Sequence, residues 1–158
     1  MIHDKDKFYE QATKNLLNQI DNMGLEKQQR LQAKNTILLF RDSFKLRKIK
    51  QKMKNAYDYD SQGFCESASL AFVKIMGSDW QVFYISSAAW NMGPHIFIRH
   101  IPSRTILDLT FDQYSYRDIE IPYNLAQPVN ITNRNKNLGG KFIDVIGLVT
   151  EMNKQNVI

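Results

Sequence analysis

The sequence predicts an α+β protein, with helices first and strands later. Residues 4–55 contain no Pro and no Gly except Gly24, and their apolar residues recur at helical spacing. After Gly77 the period changes to short runs rich in β-branched and aromatic residues. A length of 158 residues suits one domain with a real core. Residues 1–55 form its helical N-terminal part, 56–128 its central part, and 129–158 a C-terminal segment that completes the core.

The N-terminal part divides near Met23-Gly24, where Gly24 suits a helix C-cap. Phe8, Ala12, Leu16 (or Leu17) and Ile20 give the first helix an apolar stripe. Leu31, Ile37, Leu38, Phe40 and Phe44 do the same for the second, which then turns basic. Tyr57 to Gly63 reads as a loop, and Phe64 to Met76 as a third helix stopped by Gly77. Strands are expected over Trp80–Ile85, His95–Ile101 and Thr105–Thr110, with a hairpin at Pro102-Ser103-Arg104. Pro122 and Pro128 limit regular pairing beyond. Asn130 to Gly140 reads as a polar loop, and Lys141 to Val149 suits either a strand or a helix.

Hydrophobic residues at 43% and charged residues at 23% are ordinary for a soluble globular protein. A single cysteine excludes an intrachain disulfide, so a reducing compartment is the natural setting for the thiol. The charged start, Met1 to Lys7, lacks the apolar core of a signal peptide, and no run is long enough to span a membrane. The net charge of +5 favours acidic partners. Its excess is local: Arg41, Lys45, Arg47, Lys48, Lys50, Lys52 and Lys54 are opposed only by Asp42. Such a run is a solvated helix face or a docking surface, with Arg47, Lys48, Lys50, Lys52 and Lys54 as the partner-binding candidates.

Cys65 carries the chemical question. A lone cysteine is usually small apolar filler. Here it opens a helix, where backbone N–H groups and the positive dipole end favour a thiolate, and Gly63 just before it permits an unusual turn. A thiol nucleophile needs a base and the base needs an orienting acceptor. His95 and His100 are the candidate bases, His3 being terminal, and Asp108 is the carboxylate in the expected strands. A hairpin centred between Ile101 and Pro102 places His95 opposite Asp108, whereas His100 points to the other face. Taken singly, Cys65 is filler, His95 a satisfied polar residue and Asp108 a cap or a partner for Arg99. Trp80 and Trp90 are core residues or walls of a cleft. One Cys and three scattered His lack zinc spacing, so no metal is expected, and no Gly-rich phosphate loop occurs.

The run Gly63-Phe64-Cys65-Glu66-Ser67-Ala68-Ser69 resembles the Gly-x-Cys helix start of papain-like and transglutaminase-like cysteine enzymes. Gly93-Pro94-His95-Ile96-Phe97-Ile98 is similar to their His-bearing strand, and Ile106 to Tyr114 to their Asp-bearing strand. The resemblance covers about residues 60–125. It implies a nucleophile helix packed on a small antiparallel sheet, with 56–128 as a catalytic core and no cofactor. It also implies Cys65 as nucleophile, His95 as base and Asp108 as its orienting partner. Gln62, Gln113 and Trp90 become candidates for positioning the substrate or oxyanion. Gln62 is nearer the thiol than the family's oxyanion Gln, which makes the Cys65 backbone N–H the better-placed donor.

The implied activity is attack on an amide through an acyl-thioenzyme, as a protease, glutamine deamidase or transglutaminase. A small basic catalytic unit resembles bacterial toxin or effector domains, delivered into a target cell's cytoplasm as part of a larger secreted protein and countered by an immunity protein. The alternatives are a papain-like toxin that cleaves RNA such as tRNA, and a binding module with a dead triad.

Overall fold

A computed structural model of the chain describes residues 4–53, 57–130 and 133–155. The architecture is α+β. Two helices, α1 (Lys5–Asp21) and α2 (Lys27–Phe44), are followed by the short α3 (Arg47–Lys52) and by α4 (Cys65–Met76). Strands β1 (Trp80–Ile85), β2 (His95–His100) and β3 (Thr105–Leu107) come next. The short α5 (Asp112–Ser115), a 3-10 turn at Tyr123–Leu125, β4 (Gln127–Pro128) and α6 (Asn133–Gln155) complete the chain. The sheet has four strands in the order β3-β2-β1-β4, and its ladders are antiparallel.

The helix starts and stops follow local chemistry. Asp4 caps α1 by accepting the Lys7 N–H at 3.1 Å. Gly24, at φ +74°, makes the turn into α2 that a side chain would strain. Tyr9, Ala12, Leu16 and Ile20 form the buried stripe of α1, so Tyr9 takes the place expected for Phe8. On α2 the buried stripe is Ala33, Ile37, Phe40 and Phe44, while Leu31 and Leu38 face solvent. The expected long basic helix is broken: α2 ends at Phe44, and a new helix starts after Leu46.

The C-terminal segment is one helix from Asn133, so the loop expected to reach Gly140 is helical over most of its length and Lys141 to Val149 takes the helical alternative. Phe142, Ile146 and Val149 recur at helical spacing and are buried. Gly139, which suggests a loop in sequence, serves packing instead. A Cβ on Gly139 would sit 3.0 Å from Ala71 N and from the Leu70 backbone, so the glycine lets α6 lie against α4. One buried cluster draws Leu16, Phe40, Phe64, Phe72, Ile98 and Phe142 together from four helices, the residue before α4 and strand β2.

The β2–β3 ladder corrects the expected register. Ile98 pairs with Leu107, Arg99 with Ile106 and His100 with Thr105. Carried one step further, this register sets Asp108 opposite Phe97 and not opposite His95. The turn runs over Ile101–Arg104, with Arg104 at φ +59°, which moves the hairpin centre past Pro102. Because the displacement keeps the parity, Asp108 and His95 still share a face, now as diagonal neighbours. β3 is also shorter than expected. The Asp108 side chain accepts the Thr110 N–H at 3.2 Å, and this local turn ends the strand. Pro128 is accommodated on the edge strand β4, opposite Phe83.

Candidate active site

Cys65 is the first residue of α4. The turn before it depends on Gly63 at φ +89°, a conformation that side chains resist. Phe64 is fully buried and stacks on Phe44 with ring centroids 4.6 Å apart, which pins the helix start to α2. The thiol itself is partly exposed. At this position the backbone N–H of Cys65 has no carbonyl one turn earlier within the helix to bond, so it is free in principle to serve a ligand.

His95 is the first residue of β2 and is fully buried. Its Nε2 lies 2.6 Å from Asp108 Oδ2. The other ring nitrogen, Nδ1, is buried without a regular hydrogen bond. Cys65 is nevertheless close enough for its thiol and its charge to act on the ring. Burial disfavours the imidazolium; the Asp108 charge and hydrogen bond, and then Cys65, outweigh it and push the pKa up to about 10. The arrangement therefore holds a proton on the histidine between a carboxylate and a thiol.

Asp108 is buried and fixed from three sides. Besides His95 it receives the Tyr123 hydroxyl at 2.8 Å and the Thr110 N–H at 3.2 Å. Burial and the Asp108 charge push the Tyr123 pKa well above its ordinary value, so Tyr123 remains a donor. Tyr114 packs edge-on against the His95 ring, with centroids 4.9 Å apart. Burial, then Cys65 and Asp108, push the Tyr114 pKa up to about 12.

The other sequence-predicted residues separate clearly. Trp90 is partly buried in the β1–β2 loop, 5.0 Å from Tyr114 and 6.4 Å from His95 between ring centroids, with its Nε1 donating to Gly93 O. It walls the histidine. Trp80 is core, packed on Phe72 and on His100. Gln62 is half-buried in the turn before α4. Gln113 is buried and donates its Nε2 to Thr110 Oγ1 at 2.8 Å, which places it behind the Asp108 turn. His100 is apart from the Asp108 cluster, its Nδ1 on Ser103 Oγ at 2.7 Å, and burial lowers its pKa against a weaker opposing pull from Asp79. Arg99 Nε donates to the Arg104 carbonyl at 3.3 Å and is not the partner of Asp108.

The basic run loses its most N-terminal member. Arg41 is 1% exposed and forms a two-pronged ion pair with Asp112, at 2.7 and 2.9 Å. Lys50 pairs with Asp60 at 2.5 Å. Arg47, Lys48 and Lys52 are exposed, and Lys54 lies outside the described residues.

Sequence reasoning missed Tyr123, Tyr114 and the Arg41–Asp112 pair. Of these, Asp112 and Tyr114 fall within the run Ile106 to Tyr114 that resembles the Asp-bearing strand, while Tyr123 and Arg41 carried no such signal. Among the described residues no helix is long and apolar enough to cross a membrane, and no His, Cys, Asp and Glu cluster suits a metal ion. The class these observations define is an α+β protein with a buried His–Asp pair beside its single cysteine. Comparison with known proteins adds no narrower assignment: no family model, curated protein or solved structure matches the chain.

Proposed function

We propose that the chain is a cysteine-dependent enzyme of papain-like or transglutaminase-like type that acts on an amide carbon. The observation that carries this reading is His95, buried with Nε2 on Asp108 and with its second nitrogen left for Cys65. In the reaction, the Cys65 thiolate adds to the amide carbonyl, and the Cys65 backbone N–H is placed to receive the oxyanion. The C–N bond then breaks as His95 gives its proton to the leaving nitrogen, leaving a thioester. Water or an amine attacks the thioester while His95 takes a proton from it, and the thiolate is restored. Hydrolysis of a peptide, deamidation of glutamine and transglutamination share this first half and differ in leaving group and acceptor. Trp90 and Tyr114 supply an aromatic wall for the substrate beside His95. A reducing cytoplasm, reached by delivery as an effector, keeps the thiol active.

Cleavage of RNA has weaker support, because Arg41 is buried and Lys50 is occupied by Asp60. The test is expression of the wild type beside Cys65→Ala in a bacterium, with mass spectrometry of cellular protein and electrophoresis of tRNA. Cut, deamidated or cross-linked protein that depends on Cys65, with intact tRNA, is the expected result. Cleavage of tRNA that survives Cys65→Ala would overturn it.

A further inference from the structure

We infer that Arg41 and Asp112 are positioning residues, a single buried ion pair that holds the cysteine arm and the aspartate arm of the site in register. The inference rests on the catalytic reading above and assigns a role to residues that touch none of the reacting atoms.

The geometry is specific. Asp112 accepts Arg41 through both oxygens, and it also accepts the Tyr59 hydroxyl at 2.5 Å and Ser61 Oγ at 3.1 Å. Tyr59 and Ser61 stand in the loop that leads directly into Cys65. On the other side, Arg41 Nη1 donates to the Leu109 carbonyl at 3.1 Å, one residue after Asp108. Its remaining donors go to α1, Nη2 to the Tyr9 carbonyl at 3.0 Å and Nε to Thr13 Oγ1 at 2.9 Å. The Tyr9 hydroxyl returns to the Arg41 carbonyl. Apart from each other, these partners of Asp112 and Arg41 lie on α1, on the loop before the nucleophile, or on the segment after the triad aspartate.

A buried ion pair is a poor way to gain stability, since apolar packing of the same volume does as well. What it supplies is direction. A planar guanidinium matched to a carboxylate fixes distance and angle at once, and a lysine cannot reproduce that fork. Cys65 starts α4 and Asp108 follows β3, so the two come from separate elements on either side of His95. A shared anchor behind both limits their relative drift, and small displacements of catalytic groups are costly. The N-terminal helices then belong to the catalytic unit, because α1 and α2 provide one side of the anchor.

The test uses Arg41→Lys, Tyr59→Phe and Ser61→Ala in the full chain. The readouts are the NMR titration of the His95 imidazole and the iodoacetamide alkylation rate of Cys65 at pH 6.5. Val149→Ala is the control, a cavity in the core that removes none of these hydrogen bonds. Arg41→Lys, judged folded by circular dichroism, is expected to lower the His95 midpoint by about one pH unit and to slow alkylation about tenfold. Tyr59→Phe and Ser61→Ala keep the ion pair and shift both readouts in the same direction by less, which covers failure of Arg41→Lys to fold. Folded variants that melt earlier, like Val149→Ala, yet leave both readouts at wild-type values would overturn the positioning role. Failure of the catalytic reading shows separately, as alkylation of wild type no faster than that of His95→Ala.

Discussion

Tyr123 donates its hydroxyl to the same Asp108 oxygen that meets His95 Nε2, at 2.8 and 2.6 Å respectively. The aspartate is thus held by a neutral donor on one side and faces the imidazole on the other. Tyr123→Phe should lower stability by about 1.5–3 kcal/mol, the range for a hydrogen bond to a charged group. It should not lower the His95 pKa, because the full Asp108 charge remains beside the ring. Chemical denaturation and an NMR titration check the two parts. A His95 midpoint near the ordinary histidine value in Tyr123→Phe would show that the tyrosine, not the backbone turn, keeps Asp108 in place.

The effects of Asp108 and Cys65 on His95 should be separable by titration. Asp108 acts on the ring through both charge and hydrogen bond ahead of Cys65. Asp108→Asn should therefore lower the midpoint from about 10 by more than Cys65→Ala does. The sign of the linked stability follows. A pKa raised on folding contributes stability fully below the unfolded value of 6.5, lost as pH rises through about 10. Thermal melts of wild type and Asp108→Asn should accordingly converge between those limits. A gap that widens toward alkaline pH would contradict the imidazolium assignment.

Two glycines of α6 should respond in opposite directions to alanine. Gly139→Ala places a Cβ 3.0 Å from the α4 backbone and should cost about 1–3 kcal/mol through overpacking. Gly147 is exposed with nothing near its Cβ position, and alanine there should stabilise by up to about 1 kcal/mol. Denaturant titrations of the pair decide the point. Equal effects would mean that α6 does not contact α4 closely at Gly139.

Arg47, Lys48 and Lys52 are exposed partner-binding candidates of the basic run, which also exposes Lys45. Changing all of them to Gln should leave Cys65 alkylation unchanged and slow capture of an acidic partner in a salt-sensitive way. If the partner is RNA, the slope of log affinity against log salt should flatten by roughly 0.7–0.9 per lost phosphate contact. Surface plasmon resonance at several salt concentrations against the isolated partner measures this. An unchanged association rate would leave the segment a solvated face.

The features legible in the sequence were those with local causes. Gly24 and Gly77 mark helix ends, and Cys65 opens its helix because Gly63 sets the turn before it. Strand parity brought His95 and Asp108 to one face even though the register moved, since a displacement of even parity keeps the face. What was not legible depends on distant partners. Arg41 meets Asp112 across 71 residues of sequence, and within a basic run it resembles a solvated cation. Tyr123 reaches Asp108 from a 3-10 turn that no periodicity marks. Gly139 looks like loop punctuation because its reason, the close approach of α4, lies in another part of the chain.

The proposed triad requires that the imidazole of His95, and not that of His100, activates Cys65. The most direct measurement is the rate of Cys65 alkylation by iodoacetamide across pH 5 to 10, in wild type, His95→Ala and His100→Ala. At pH 6.5, wild type and His100→Ala should react alike and His95→Ala should be slower by roughly 100-fold, the scale of a positioned proton-transfer partner. Superimposable rate profiles for wild type and a folded His95→Ala would contradict the triad.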